Sequence, residues 1–287
     1  MQYVNFFGHN ISKMIVGDNP FNGWSYIPKI VPGSDMKMYH TEEKILEAIY
    51  KMEELGVNTM LPLADPFMIR VLSHYRHNGG KMNFIFQTFG PMMMTPETWP
   101  ITMRNMQEVE PIAVYLSGTY TDVRCETGRE QEIKDMLTRM RAMEIPVGLC
   151  THRPENIAKF EGDNGFDFDF YMACMYNARR NREGQESGFL TGKSKGDIEF
   201  HPSDRGLMLD ALQGVTKPIL AFKIFAGGQM LAEQTEEKRR ELIRDAYDTI
   251  FGALKPDDAA VMGVFQKYHD QLTENISVFN EWEAAQK

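Results

Sequence analysis

The chain has 287 residues, 43% of them hydrophobic and 25% charged, which is ordinary globular composition and enough to bury a large core. Its formal net charge of −9 argues against an extended nucleic-acid surface or an anionic membrane as partner. A small-molecule substrate, even a phosphorylated one, stays compatible with that charge, because a local basic pocket can sit within an acidic exterior.

The opening residues, Met1 to His9, have neither a basic region nor an apolar run of signal-peptide length, and no later apolar stretch approaches a membrane span, so a cytoplasmic protein is expected. An apolar run at 13–17 predicts the first strand, and the loop after it is rich in polar and aromatic residues. Thr41-Glu42-Glu43 opens a helix with Ile45, Leu46, Ile49, Met52 and Leu55 on one stripe. Strands follow at 57–61, 83–87 and 112–116, with Asp65 placed to cap a helix beginning at Pro66. Thr127 to Glu130 reads as a capping box opening the fourth helix. After a strand at 146–150, Arg153-Pro154-Glu155 opens the fifth, since proline is tolerated in a first turn. The strand at 168–172 leads into segment 176–202, too long for an ordinary connection and expected to be a lid. That segment carries Arg179, Arg180, Arg182, Lys193 and Lys195, either as a solvated excursion or as a basic flap over an anionic substrate. A strand at 218–223 precedes a helix opened by Thr235, which carries Leu242, Ile243, Ala246 and Ile250. A last strand at 259–263 is followed by the stripe Tyr268, Leu272, Ile276 and Phe279.

Eight strands alternating with eight helices indicate an α/β chain folded as a single (β/α)8 TIM barrel over 1–287. The absence of Gly-x-Gly-x-x-Gly after the first strand favours closure over an open, doubly wound sheet. Cys125, Cys150 and Cys174 are odd in number and widely spaced, which suits a reducing compartment. The 21 methionines, Met92-Met93-Met94 among them, read as adaptable core fillers.

Several short motifs occur in one order along the chain: Gly56-Val57-Asn58, Ala64-Asp65, the strand-loop 146–152 with Tyr176-Asn177, and Gly263-Val264-Phe265 with Gln271-Leu272-Thr273-Glu274-Asn275. Together they resemble the aldo-keto reductases. The resemblance implies that family's barrel, and it places a nicotinamide-cofactor phosphate segment at the C-terminal motif. The family's catalytic tetrad does not carry over. Its aspartate falls on Leu61 or Pro62, its tyrosine on Phe67 or Pro66, its lysine on Phe89, and its histidine on the segment Leu116-Ser117-Gly118. Ordinary carbonyl reduction is therefore not expected, because no proton donor stands in the family's place.

In a barrel the chemistry is expected at the C-terminal ends of the strands. Lys223 ends an otherwise apolar strand, where an ammonium must be paired, neutralised or used. Strict alternation puts Ile219, Ala221 and Lys223 on one face, read as the barrel interior, and Leu220, Phe222 and Ile224 on the other. Alternation likewise points His152 into the mouth with Gly148 and Cys150. Asp18 is either the carboxylate that partners Lys223 or a cap for its own turn. Lys223 is a Schiff-base lysine, a protonated electrophile or a structural ion pair. Asn19, Asn22, Trp24, Tyr176, Asn177 and Arg179 are the candidates for substrate binding. Gly227, Gly228, Gly263 and Phe265 stand where barrels often hold phosphate or a cofactor through backbone N–H groups. Cys150, His152 and Cys174 could converge on a metal, but packing is the simpler reading and no metal site is assigned.

The leading expectation is a barrel enzyme that acts on a small polar carbonyl or sugar-like compound by lyase, aldolase or isomerase chemistry. Lys223 is its electrophilic or Schiff-base group and His152 its proton shuttle. The alternatives are a divergent NADPH-dependent reductase with its proton donor moved to His152 or Tyr176, and a non-catalytic ligand-binding barrel. A cofactor enters only under the reductase alternative.

Overall fold

Two short strands, β1 (Tyr3–Phe6) and β2 (His9–Ser12), pair antiparallel before the barrel begins. Phe7 and Gly8 both take positive φ, the backbone of a two-residue hairpin turn whose twist matches the strands. Eight parallel strands then close into a barrel: β3 (Met14–Gly17), β4 (Thr59–Leu61), β5 (Asn83–Thr88), β6 (Ala113–Leu116), β7 (Val147–Thr151), β8 (Phe170–Cys174), β9 (Ile219–Phe222) and β10 (Ala259–Gly263). β10 pairs with β3 to complete the ring. The computed structural model describes residues 1–88, 93–186 and 198–286. Phe89, Met92, Lys193 and Lys195, with the middle of the expected lid, lie outside the described residues. Among the described residues no helix is long and apolar enough to cross a membrane.

Each strand carries side chains to two different cores. Ile15, Leu61, Ile85, Tyr115, Cys150 and Met172 belong to a cluster inside the barrel. Val16, Met60, Phe84, Leu116, Leu149 and Ala173 belong to a larger one shared with the surrounding helices. Burial on both faces is why these strands read as short unbroken apolar runs. The hairpin completes the inner cluster. Val4, Phe6 and Ile11 are buried in it, and the Phe6 ring meets Phe170 edge-on with centroids 5.0 Å apart. Sequence reading had no place for this hairpin, which seals the N-terminal end of the barrel and leaves the other end open.

Three helix starts are fixed by the expected caps. Thr41 accepts from Lys44 N (3.3 Å), Thr235 from Lys238 N (3.3 Å), and Asp65 from Phe67 N (2.9 Å) and Met68 N (3.1 Å). The proposed box at Thr127 is a correction. Thr127 closes the helix Gly118–Glu126, its hydroxyl donating to Val123 O (2.7 Å), and the helix Glu130–Met140 starts without a side-chain cap. Tyr268 is a second correction: it is exposed and precedes the helix Gln271–Ala285, which is capped by Asp270. Phe6→Ala should lower unfolding stability by about 3 kcal/mol in chemical denaturation, since Phe6 is 1% exposed and the cavity it leaves cannot collapse easily. A loss below about 1 kcal/mol would show that the hairpin is not part of the barrel core.

Candidate active site

The alternation that selected Lys223 is broken at Lys223 itself. Leu220 and Phe222 face the barrel interior, while Ile219 and Ala221 face the helices, the reverse of the parity expected from sequence. β9 stops at Phe222, and Lys223 takes φ 58, a left-handed conformation that costs a non-glycine residue of order 1 kcal/mol. This turn of the backbone, and no continuation of the strand, brings the side chain over the barrel mouth. Ala226 (φ 51) and Gly227 (φ 60) extend the left-handed stretch. The Lys223 ammonium lies between two rings, 4.5 Å from the Phe222 centroid and 5.0 Å from that of Tyr26.

Lys223 Nζ is 3.1 Å from His152 Nε2. His152 is buried at the end of β7, and its Nδ1 is 2.7 Å from Asp122 Oδ2. Asp122 is fully buried on the helix Gly118–Glu126. Thr151 Oγ1 (2.6 Å) and Asn156 Nδ2 (3.0 Å) donate to its Oδ1, and the His152 backbone N–H (3.1 Å) donates to its Oδ2. A carboxylate facing Nδ1 fixes the proton there and leaves the Nε2 lone pair toward Lys223. Gly118 permits this approach, because a Cβ at that position would stand 2.7 Å from both Cys150 Sγ and His152 Cε1. Burial pulls the Lys223 pKa down, while Cys174, Tyr26 and Cys150 pull it up, and the net direction is up. The thiols act so only when ionised, and burial itself keeps them protonated, pushing Cys174 up to about 11 and Cys150 well above its ordinary value. With its Nδ1 facing the Asp122 carboxylate, His152 presents Nε2 as the acceptor to Lys223.

Asp18 was expected to hold Lys223, and the structure gives it other partners. Its Oδ2 accepts from Leu63 N (2.6 Å) and Asn22 Nδ2 (2.7 Å). β3 and β7 stand opposite each other in the ring, so Asp18 faces His152 across the mouth, while Lys223 follows β9, two strands from β3. Burial pushes the Asp18 carboxyl up to about 7 against those hydrogen bonds, which makes it a donor at mildly acid pH. Between the two sides lies a cavity of about 540 Å³. Asn19, Asn22, Trp24, Tyr26 and Arg179 line it, and the Tyr115 hydroxyl, deep inside, donates to Gln87 Oε1 at 2.9 Å. Tyr176 and Asn177 are outside its lining. Tyr176 packs on Phe200 at 5.5 Å between centroids, and Asn177 Oδ1 accepts from Arg179 N. Arg179 pairs with Glu126 at 2.7 Å, and Arg180 with Asp204, so these two arginines tie down the start of the expected lid.

Asp122 escaped sequence reading because its helix shows no apolar stripe. Thr119, Tyr120, Thr121, Asp122 and Arg124 are all buried, and an all-round polar pattern resembles a loop. The usable signal was the serine-glycine start directly after β6.

Gly227, Gly228, Gly263 and Phe265 all line the cavity, with Gln271, Glu274 and Asn275 of the C-terminal motif beside them. A Cβ on Gly227 would meet the Tyr26 ring at 2.8 Å, and Ile27 covers Gly228. Gly263 lies against Pro20, and Phe265 packs with Tyr39 and His40. Arg239, beside the C-terminal motif, is paired with Glu274 at 2.8 Å. NADPH fluorescence quenched saturably by the protein at micromolar concentration would show that a dinucleotide enters beside this motif, and unchanged fluorescence would show that it does not.

The Asp18 shift has a stability consequence. A carboxyl whose folded pKa is raised to about 7 stabilises the fold fully below its unfolded pKa near 3.8, and that contribution is lost as pH rises through 7. At 1.36 kcal/mol per unit the loss reaches about 4 kcal/mol. Asp18→Asn should gain on the wild type by that order between pH 4 and pH 8 in urea denaturation, whereas parallel pH curves would contradict it.

No family model and no curated protein sequence matches this chain. Among solved structures, a thermostable aldo-keto reductase, Tm1743, crystallised with the inhibitor epalrestat, has a TM-score of 0.57 at 10% identity, covering 98% of this chain and 94% of its own. The holo form of aldo-keto reductase AKR11C1 from Bacillus halodurans has a TM-score of 0.57 at 9% identity, covering 97% and 90%. A truncated 3-deoxy-D-arabino-heptulosonate 7-phosphate synthase from Thermotoga maritima has a TM-score of 0.50 at 12% identity, covering 99% and 90%. Identities this low speak to architecture and not to chemistry. The chain folds as an aldo-keto reductase-like (β/α)8 barrel.

Proposed function

We propose that the protein is an enzyme that moves a proton beside the carbonyl of a small polar or sugar-like compound, with lyase, aldolase or isomerase chemistry. The observation that carries this reading is the buried chain from Asp122 through His152 to Lys223, which reaches the cavity at its lysine end. A carbonyl oxygen entering the mouth takes a hydrogen bond from Lys223 Nζ in place of the one to His152. That frees the His152 Nε2 lone pair to remove the proton on the adjacent carbon. The electrons of the broken C–H bond become the enolate, which the Lys223 ammonium stabilises as charge develops on oxygen. Asp122 stabilises the imidazolium that forms, and return of the proton to either carbon or oxygen regenerates the base. Asp18, on the opposite side, is placed to donate to a second oxygen of the same substrate. Trp24 and Tyr26 supply flat apolar walls against which a sugar-like ring can lie.

The reading favours a protonated Lys223 over an amine nucleophile, because the ammonium lies between the Phe222 and Tyr26 rings with His152 Nε2 3.1 Å away. The test is deuterium wash-in from D2O, followed by proton NMR over a panel of small hydroxy-ketones, keto acids and aldoses. Wild type should exchange the proton beside the carbonyl in at least one of them. His152→Gln and Lys223→Met should each slow that exchange by about 100-fold or more. Exchange that survives in both variants contradicts the assignment, and borohydride trapping of a carbonyl on Lys223 contradicts its protonated role.

A further inference from the structure

The helix that carries Asp122 begins at the cavity with its first turn unsatisfied. Serine is a favoured N-cap, yet Ser117 makes no side-chain cap to the helix Gly118–Glu126. The first intrahelical bond runs from Thr121 N to Ser117 O, so the N–H groups before it have no helical partner. Those of Thr119 and Tyr120 meet no acceptor among the described residues, while that of Gly118 is directed to Cys150. Two hydroxyls at the same place are also without partners. Ser117 is 2% exposed and Thr119 is 8% exposed, both line the cavity, and neither side-chain oxygen makes a hydrogen bond among the described residues. Both hydroxyls open onto the cavity, so a ligand oxygen placed there meets two side-chain donors beside the bare helix start.

The surroundings define that ligand's charge. A helix N-terminus favours an anion, and Lys223 places an ammonium at the same mouth. We propose that the first turn of this helix, with the Ser117 and Thr119 hydroxyls, is an oxyanion subsite that holds a carboxylate or phosphate group of the substrate next to the carbonyl addressed by Lys223 and His152. The inference rests on the proton-transfer reading for its place in the reaction and narrows the substrate to anionic carbonyl compounds, such as keto acids, sugar acids or phosphorylated sugars.

The test uses oxalate and inorganic phosphate as probes, with neutral oxamide as the control, in isothermal titration of the wild-type protein. None of the three has a carbon-bound proton, so their binding is read independently of any turnover. Oxalate or phosphate should bind and oxamide should not, and whichever anion binds more tightly tells a carboxylate substrate from a phosphate one. Ser117→Ala and Thr119→Val should each weaken the preferred anion by about tenfold, the usual worth of one hydrogen bond to a charged group. Ser117→Asp should abolish binding while holding or raising the melting temperature, because its own carboxylate caps the helix and fills the subsite. Anion affinity unchanged in Ser117→Asp, or equal affinity for oxalate and oxamide, overturns the subsite. Anion binding with these losses, but no deuterium exchange on any carbonyl, keeps the subsite and removes the proposed reaction.

Discussion

A carboxylate with no solvent access organises the open end of this barrel. Asp122 sits where a bare charge costs several kcal/mol, and it is held by donors from Thr151, Asn156 and both the backbone and ring of His152. Satisfying it fixes the loop after β7, the orientation of the imidazole and the tautomer that faces Lys223. The helix that carries Asp122 must then approach so closely that only glycine fits at position 118. That approach in turn aims the first turn of the helix at the cavity. Remove the carboxylate and the reason for each of these placements goes with it.

The opposite end of the barrel follows a different rule. The hairpin β1–β2 closes it with Val4, Phe6 and Ile11, while buried Ser12 and Asp258 satisfy backbone groups at the strand starts. A sealed apolar floor and an open polar mouth give the molecule its one-sided character, as is usual for this architecture. The backbone strain lies at the mouth as well. Lys223, Ala226 and Gly227 take left-handed conformations in one stretch, and the Tyr26 ring packs directly over Gly227. The Tyr26 ring that flanks the Lys223 ammonium thus also packs on the loop after β9, which lines the same cavity.

The strands were legible because burial on both faces leaves short apolar runs that no surface helix would show. All eight lie within two residues of their expected limits at each end. The hairpin was not legible, since four-residue strands with alternating polar residues have too little period to stand out. Lys223 was found for a sound reason, a cation on an apolar strand, but its direction was read wrongly, because alternation holds only while the backbone stays extended. Parity along β7 held for Cys150 inside the barrel and Val147 and Leu149 outside it, and His152, one residue past the strand, lines the cavity as expected. Asp122 was invisible for the opposite reason to Lys223: a charge among threonines in a polar segment looks solvated, and only the packing of its helix over the barrel shows that it is not. Asp18 was noticed, and its neighbours Asn22 and Leu63 claim the carboxyl that was expected to hold the lysine.

The account depends most on how protons are arranged along Asp122, His152 and Lys223, and nitrogen-15 NMR of the labelled imidazole reads that arrangement directly. The structure requires His152 to carry its proton on Nδ1 toward Asp122, with Nε2 accepting from Lys223, so Lys223→Met should shift the Nε2 resonance and leave Nδ1 protonated. An imidazole protonated on Nε2 in the resting protein, or an Nε2 signal indifferent to Lys223→Met, would contradict it.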